Sequence, residues 1–243
     1  MNNKSVVILP DIHGRTFWKQ VVDCDCDIVF LGDYVDPYPF EGIGQQEAID
    51  NFREIVDFAK SRDNVHLLLG NHDCEYYIGQ DVCDCRCDYD NYDLIRDMFL
   101  SNESLFKFVH WKTVGDRMFV FSHAGFHPMW VGKHSDIELD PFIVDTYMEN
   151  EETQDRLHVA LCDVSYLRGG WGHAGSMIWA DIREYANTAL PDAYTQVVGH
   201  TYLMNKPIGN DNIVCLDLQR PFFINEGGDI CEFNGDKIEM TRI

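Results

Sequence analysis

The chain has 243 residues, of which 45% are apolar, so it is long enough for a substantial buried core and too apolar for a disordered chain. Its formal charge of −22 would repel the phosphate backbone of DNA or RNA, which argues against a general nucleic-acid binder. No apolar run approaches the roughly 20 residues that span a membrane. The run Val6 to Leu9 is too short for the core of an export signal, so we expect a cytoplasmic protein with no membrane partner.

The N-terminal part of the chain alternates apolar runs with helical patterns. The apolar runs are Val6 to Leu9, Ile28 to Leu31 and Val65 to Leu69, and the helical segments are Gly14 to Val22 and Gln45 to Lys60. Each apolar run ends in a short polar tip. Repetition of strand, tip and helix predicts a parallel sheet with functional groups at the carboxyl ends of its strands.

The middle of the chain is less regular. A polar, Cys/Asp-rich loop at 80–93 precedes a helix from Leu94 to Leu105, a hairpin of Phe108 to Val114 with Arg117 to Phe121, a mostly helical stretch from Ile137 to Tyr166 and a Gly-rich loop at 168–176. Gly115–Asp116 is the expected hairpin turn.

The C-terminal part has the pattern of short strands. They are Val197–Val198, Ile213 to Leu218, Pro221 to Asn225, Ile230 to Phe233 and Lys237 to Met240, with a turn at Asn234–Gly235–Asp236 before the last. The sequence shows no internal repeat or linker, so we expect a single domain, 1–243, containing two sheets.

Nine cysteines, an odd number, favour reduced thiols. Cys83, Cys85 and Cys87 follow Cys74 in a C-x-C-x-C pattern, which differs from the C-x₂-C pairs of zinc sites. We expect an exposed loop with incidental thiols, with a structural metal or metal storage in the loop 81–93 as the alternatives.

Metal-ligating residue types follow five of the apolar runs. They are Asp11 and His13 in DIH, Asp33 in GDYVD, Asn71 in GNHD, His123 in SHAG and His200 in GHT. Mixed oxygen and nitrogen donors suit Mn, Fe or Zn better than thiophilic ions or an all-oxygen calcium site. Two such ions about 3.5–4 Å apart can clamp an in-line displacement at phosphorus.

This ordered set of motifs, which extends from Asp11 to Thr201, resembles the calcineurin-like metallophosphoesterases. The closest branch contains the Ser/Thr protein phosphatases and the symmetric diadenosine tetraphosphate hydrolases. The resemblance implies an α/β (α+β) fold, a four-layer sandwich of two mixed β-sheets flanked by helices. It also implies two divalent ions, manganese first and iron or zinc as alternatives.

The resemblance assigns a role to each motif residue. Asp11, His13 and Asp33 would hold the first metal, and Asp33, Asn71, His123 and His200 would hold the second. His72 would protonate the leaving oxygen, and Asp36 would orient His72. A carboxylate behind an imidazole fixes its tautomer and favours its charged form, which agrees with that role.

One position departs from the family pattern. The family has an arginine directly after the aspartate that corresponds to Asp36, and it contacts phosphate, whereas Pro37 stands here. Arg168 and Arg183 are candidate substitutes, because a guanidinium holds two phosphate oxygens at once. Structural or surface roles are the alternative for both arginines. Asn71 is a further candidate for phosphate binding.

The sequence therefore predicts a phosphomonoesterase, with a phosphorylated small molecule or phosphoprotein as substrate. A dinucleoside polyphosphate hydrolase or another phosphodiesterase is the alternative, and a non-catalytic scaffold is disfavoured because every metal position is filled. The aromatic residues Tyr34, Tyr38, Phe40 and Trp171 would either rim a substrate pocket or serve packing.

Overall fold

The computed structural model describes residues 5–79, 85–234 and 237–239. Within these ranges one sheet contains β1 (Val6–Leu9), β2 (Asp27–Phe30), β3 (Val65–Leu68), β4 (Phe106–Lys107), β10 (Phe222–Ile224), β11 (Ile230–Asn234) and β12 (Lys237–Glu239). Its strand order is β12-β11-β10-β1-β2-β3-β4. The strands β1 to β4 run parallel, whereas β10 to β12 pair antiparallel. The sheet is therefore mixed.

The second sheet is also mixed. It contains β5 (Val109–Val114), β6 (Arg117–Ser122), β7 (Thr195–Val198), β8 (Ile208–Asn210) and β9 (Ile213–Cys215). Its order is β5-β6-β7-β9-β8, with parallel pairing from β6 through β7 to β9. The predicted hairpin is confirmed, because Val114 pairs with Arg117 across a turn in which Gly115 has a φ of +64°.

Helices surround the sheets. The α-helices are α1 (Gln45–Lys60), α2 (Asn71–Tyr77), α3 (Tyr92–Leu100), α4 (Pro128–Lys133) and α5 (Glu151–Leu161). Short 3₁₀ helices cover Phe17–Val21, Pro39–Glu41, Glu103–Leu105, Val144–Glu149, Tyr166–Arg168 and Ile182–Tyr185. None of the helices in the described ranges has the length and apolar character that crossing a bilayer requires.

Alternate residues of the central strands face different layers of the molecule. In β1, Ile8 packs between the two sheets, whereas Leu9 belongs to the cluster that includes Phe52 of α1. In β6, Phe119 packs between the sheets, whereas Val120 belongs to the cluster that includes Trp130 of α4. The expected sandwich of two mixed sheets flanked by helices is therefore confirmed.

Parallel pairing places the motif residues at one end of the sandwich. In the first sheet Ile8 lies opposite Val29, and in the second Phe121 lies opposite Val197. The carboxyl ends of these strands meet at a common edge, so the loops that follow them lie side by side.

Several predicted elements differ from the structure. Gly14 to Val22 contains only a 3₁₀ helix, Phe17–Val21, because His13 and Gly14 have positive φ values and a helix cannot begin there. The stretch 137–166 is not continuously helical, because it is interrupted at Asn150. The backbone of Asn150 is extended, and its side chain caps α5 by accepting a hydrogen bond from Glu152 N.

Other predicted elements have different ends. The predicted strand from Ile213 ends at Cys215 rather than Leu218, and the helix predicted to reach Leu105 divides into α3 and a 3₁₀ turn. Residues 80–84 of the Cys/Asp loop, the turn residues 235–236 and the last residue of the strand ending at Met240 lie outside the described residues.

Candidate active site

The loops that follow β1 and β2 are joined by backbone hydrogen bonds. His13 N donates to Asp33 O at 2.6 Å, and Gly14 N donates to Tyr34 O at 3.0 Å. The His13 side chain donates from Nδ1 to Val35 O at 3.0 Å. This bond leaves the Nε2 lone pair of His13 available as a metal ligand.

Asp33 occupies the centre of the site. Its Oδ2 atom lies 3.5 Å from His13 Nε2 and also 3.5 Å from His123 Nε2. Asp33 is 2% exposed, so its carboxylate is shielded from water. One carboxylate oxygen thus lies between two imidazoles from opposite sheets, as a residue that bridges two cations would.

His123 and His200 form the second half of the site. His123 Nδ1 donates to Leu31 O at 2.8 Å, so its Nε2 carries a lone pair. That atom lies 3.1 Å from Asn71 Oδ1 and 3.1 Å from His200 Nδ1. Asp11 is linked to this half by its Oδ1, which accepts from His200 N at 2.9 Å. Oxygen and nitrogen atoms that converge in this way are suited to ligate a cation.

The donor atoms form two overlapping clusters. One contains His13, Asp33 and His72, and the other contains Asp33, His123 and His200, with ligand atoms within 4.8 Å of one another in each. The structure therefore brings together all six predicted metal ligands: Asp11, His13, Asp33, Asn71, His123 and His200.

The electrostatics of the site favour a bound cation. Burial raises the pKa of Asp33 well above its usual value, and the charge of Asp11 adds to that shift although His72 opposes it. Burial also lowers the pKa values of His13 and His200 well below the usual range. Neutral imidazoles beside a carboxylate that lacks solvation are the state that divalent ions stabilise.

The backbone at the site is strained. Among the described residues, positive φ values at non-glycine positions occur at His13, Asp33, Asp36 and His200, with values of 43°, 54°, 59° and 63°, and also at Gln219. Such conformations cost free energy and persist where surrounding contacts enforce them. Their concentration at the predicted ligands and at Asp36 agrees with a functional site.

Two glycines allow the close approach of the ligands. A Cβ atom at Gly70 would lie 2.2 Å from Asp33 Oδ1, and one at Gly199 would lie 2.3 Å from Asp11 Oδ1. The glycines in GNHD and GHT are therefore required by the position of a neighbouring carboxylate.

Asp73 organises the backbone of the site, a role that the sequence analysis missed. Its carboxylate accepts from Asp33 N at 2.6 Å, Tyr34 N at 3.0 Å and Gly70 N at 2.9 Å. Gly70 precedes α2, so Asp73 occupies the third helical position, where an acidic residue bonds back to the N-cap. The spacing of Gly70 and Asp73 was the available signal in the sequence, where these residues had been predicted as a polar tip.

His72 is positioned as a proton donor. Its Nδ1 lies 3.1 Å from Asp36 Oδ2, and Tyr76 donates to Asp36 Oδ1 at 2.7 Å. Burial alone would lower the pKa of His72, but the charge of Asp33 and the hydrogen bond to Asp36 outweigh it and raise the pKa. The imidazole lies 5.0 Å from the ring of His13, so a protonated His72 would lie next to the predicted metal centre.

The two predicted phosphate-binding arginines differ in position. Arg168 donates from Nη2 to His200 O at 2.9 Å and to Thr201 Oγ1 at 3.0 Å, so it lies at the edge of the site. Arg183 forms a two-pronged ion pair with Asp181 at 2.7 and 2.8 Å, and its side chain is 63% exposed. Its guanidinium is thus engaged outside the ligand cluster.

Arg86 is a third arginine at the site, and the sequence analysis did not consider it. Its Nη1 donates to Asp36 O and, at 3.1 Å, to Pro37 O, and its guanidinium lies 4.5 Å from the centre of the Tyr38 ring. Its charge contributes to the lowered pKa of His13 and partly opposes the raised pKa of His72. No local motif indicates this, because Arg86 comes from the Cys/Asp loop.

A cavity of about 290 Å³ opens beside His13. Its lining consists of His13, Arg15, Tyr38, Phe40, Tyr202, Asp217 and Gln219. Tyr38 and Phe40 therefore border the site. Lining a pocket was one of the two roles expected for the aromatic residues, and packing was the other. Tyr34 is buried in the core and Trp171 is fully exposed.

Comparison with known proteins agrees with this geometry. The family model of the calcineurin-like phosphoesterases matches residues 5–203, which is most of the chain. No curated protein matches the chain significantly. Members of this family are metal-dependent hydrolases that use a dinuclear centre, and the chain has the donor clusters for one. The protein thus belongs to the calcineurin-like phosphoesterase family and is a metal-dependent phosphoesterase.

Proposed function

We propose that this phosphoesterase acts on phosphomonoesters, in the manner of the branch that includes the Ser/Thr protein phosphatases. The observation that carries the proposal is the position of Asp33 Oδ2, 3.5 Å from both His13 Nε2 and His123 Nε2. One shared carboxylate between two imidazoles defines a centre for two ions. Such a centre is suited to a single phosphoryl group that contacts both ions.

The first ion would be held by Asp11, His13 and Asp33, and the second by Asp33, Asn71, His123 and His200. Their mixed oxygen and nitrogen donors favour manganese, with iron or zinc as alternatives. When bound, the two ions supply Lewis acidity that activates water at neutral pH and offsets the charge of the phosphoryl oxygens.

His72 is the proposed general acid. Burial lowers the pKa of His72, but the charge of Asp33 and the hydrogen bond to Asp36 raise it, which favours the protonated imidazole; with Nδ1 bonded to Asp36, Nε2 would face the leaving oxygen. Tyr76 holds the other oxygen of Asp36 at 2.7 Å, which limits rotation of the carboxylate. Asp36 and Tyr76 are therefore positioning residues, and His72 delivers the proton.

Arg86 and Arg168 are the proposed phosphate anchors, together with the Asn71 amide. Arg86 donates to the carbonyl of Pro37, the position at which the resembled branch has its arginine. A guanidinium there would face the phosphoryl group although it comes from another loop. Arg168 would approach from the side of His200. Arg168 and Arg183 both pair with Asp181, Arg168 through Nε at 3.1 Å. Arg183 is the weaker candidate, because its side chain is 63% exposed and makes no hydrogen bond to a predicted ligand, whereas Arg168 donates to His200 O.

A second candidate function is the hydrolysis of a dinucleoside polyphosphate or another phosphodiester. The aromatic cavity beside His13 favours it, because Tyr38 and Phe40 stack with ring centres 5.4 Å apart and could extend that stack to a nucleobase.

We also propose a cytoplasmic location, which is supported by free thiols at Cys24, Cys26 and Cys215.

The test is a substrate panel assayed with Mn²⁺ on protein first stripped of metal. It contains p-nitrophenyl phosphate, bis-p-nitrophenyl phosphate, a phosphoserine peptide and diadenosine tetraphosphate. We expect turnover of the monoesters to be fastest, and loss of both metal and turnover in Asp33→Asn. Preference for the dinucleotide or the diester would favour the second candidate. Absence of bound metal and of turnover throughout would indicate a non-catalytic scaffold.

A further inference from the structure

A second group of metal-binding residue types lies at one edge of the sandwich, where β3 of the first sheet passes β5 of the second. Asp27 begins β2, His66 lies in β3, and His110 lies in β5 of the other sheet. Asp27 is the first residue of β2, whereas Asp33 lies beyond the end of that strand at Phe30, and the group shares no residue with the donor clusters of the catalytic site. This group is therefore distinct from the phosphoesterase centre.

The geometry of the group is compact. One ligand atom from each of Asp27, His66 and His110 lies within 4.8 Å of the other two. The two imidazole rings stack with centroids 3.8 Å apart and an angle of 16° between their planes. The stack joins the first sheet to the second at the edge where β3 passes β5.

His110 has an unsatisfied polar atom. Its Nε2 is buried and has no hydrogen-bond partner among the described residues. A buried polar atom without a partner destabilises a fold unless a ligand satisfies it. An imidazole lone pair next to a second imidazole and a carboxylate would be satisfied by a cation.

Both histidines are in the form that binds metal. Burial lowers the pKa of His110 to about 3, and the charges of His66 and Lys112 act in the same direction. Burial also lowers the pKa of His66, against the opposing charge of Asp27. Both rings are therefore neutral at pH 7, and neutral imidazole is the metal ligand.

From these contacts we propose that Asp27, His66 and His110 form a site for zinc or a similar late first-row divalent ion. Two imidazoles, one carboxylate and a water complete a four-coordinate shell of the kind zinc adopts. Donors around zinc lie about 3.3 Å apart, given bonds of about 2.0 Å, so side-chain rotation must draw the three together and unstack the rings. The ion would join β2 and β3 of one sheet to β5 of the other.

Lys112 competes with the ion for Asp27. Its ammonium donates to Asp27 Oδ2, and its side chain is 20% exposed. The lysine supplies the positive charge that Asp27 requires when no metal is bound, and it can turn toward solvent when an ion replaces it. Lys112→Met should therefore tighten zinc binding, on the order of tenfold, because a like charge is removed from beside the site.

The experiment counts zinc per chain in the full-length protein after equilibration with Zn²⁺ and removal of excess metal. Because the catalytic centre also takes zinc, the result is the difference between wild type and His110→Ala. We expect one equivalent fewer in His110→Ala. His158→Ala is the matched control, since His158 Nε2 is also buried without a partner but belongs to no donor cluster of the described residues.

Two further measurements protect the test against a variant that misfolds. In the intact wild type, the imidazole ¹⁵N shifts of His66 and His110 should move on addition of Zn²⁺. Hydrolysis of p-nitrophenyl phosphate with Mn²⁺ should be unchanged in a folded Asp27→Asn variant. Equal zinc content in wild type and His110→Ala, with unchanged ¹⁵N shifts, would overturn the proposal. The three residues would then serve only as polar side chains packed between the sheets.

Discussion

The Nδ1 atom of His72 lies 3.1 Å from Oδ2 of Asp36, in a site where Asp36 has a positive φ of 59°. Both residues are buried, so the pair is shielded from solvent. A strained backbone thus places this carboxylate directly behind the imidazole that faces the metal ligands. The backbone conformation of the loop after β2 therefore affects the protonation of His72, which lies in α2.

His72→Ala should therefore lower turnover of alkyl phosphates by about 10²–10⁴, the usual contribution of a general acid. Turnover of p-nitrophenyl phosphate should fall less, because its leaving group needs little protonation. Asp36→Asn should show the same dependence on leaving group with a smaller loss, and asparagine tolerates the left-handed backbone. Kinetics on the two substrates with Mn²⁺ decide this, and equal losses on both would contradict the acid role.

Arg86→Ala should lower kcat/KM by about 10- to 100-fold, because a charged hydrogen bond is worth about 1.5–3 kcal/mol. The loss should appear mainly in KM, since the guanidinium holds phosphate in the ground state as well. Arg96→Ala is the matched control: Arg96 donates to the Tyr76 and Tyr77 carbonyls in the same manner, outside the ligand cluster. Equal effects of the two substitutions would show that Arg86 only supports its loop.

Gly70→Ala should weaken both metal binding and the fold. The new Cβ atom would approach Asp33 Oδ1 to 2.2 Å and His123 Cε1 to 2.8 Å, so at least one ligand must move. We expect a loss of about 1–3 kcal/mol in stability and at least a tenfold loss of manganese affinity.

Gly44→Ala provides the control for that substitution. Nothing lies within 4 Å of a Cβ atom at Gly44, and its φ of −76° is open to any residue. Its stability should change by about 1 kcal/mol or less, with metal affinity unchanged. Calorimetric titration of Mn²⁺ and thermal unfolding of both variants give the comparison. Normal metal affinity in Gly70→Ala would show that the ligands tolerate the displacement.

His127 predicts a pH dependence of stability. Its Nδ1 accepts from Met129 N at 3.2 Å at the start of α4, and burial lowers its pKa. A base whose folded pKa is lowered resists protonation, so the unfolded chain binds more protons once the pH falls below about 6.5. The free energy of unfolding should therefore decrease from pH 7.5 to 5.5.

The variant that tests this is His127→Asn, which keeps a helix-capping acceptor that does not titrate. Its free energy of unfolding should depend less on pH than that of the wild type. Urea unfolding of metal-free protein at the two pH values separates this effect from metal loss. An identical slope in wild type and variant would place the pH dependence on other groups.

The proximity of the predicted metal ligands could be expected from the sequence because each follows an apolar run. Runs such as Val6 to Leu9 report buried strands, and parallel strands bring the residues after them to one edge. Asp11, Asp33 and His123 could therefore be expected at a common place before their distances were known. Their residue types also led to the expectation of manganese, iron or zinc, since the donor chemistry is local to each side chain.

Local sequence patterns predicted secondary structure less reliably where tertiary contacts determine the backbone conformation. The helix expected from Gly14 to Val22 is a short 3₁₀ turn, because the site requires a positive φ at His13. The α2 helix was missed because Asn71 and His72, which were interpreted as site residues of a polar tip, also begin the helix. Functional constraints in both places dominate over intrinsic helix preference.

The sequence by itself determined the family, the fold class and the residue types of a dinuclear centre, because these depend on hydrophobic periodicity and on motifs of a few residues. Only the tertiary structure decided that Arg86 lies against Pro37 and that Asp27, His66 and His110 form a second cluster. Those contacts join distant loops and different sheets. They depend on which strand edges meet, and the pattern of apolar residues along a single strand carries no information about that.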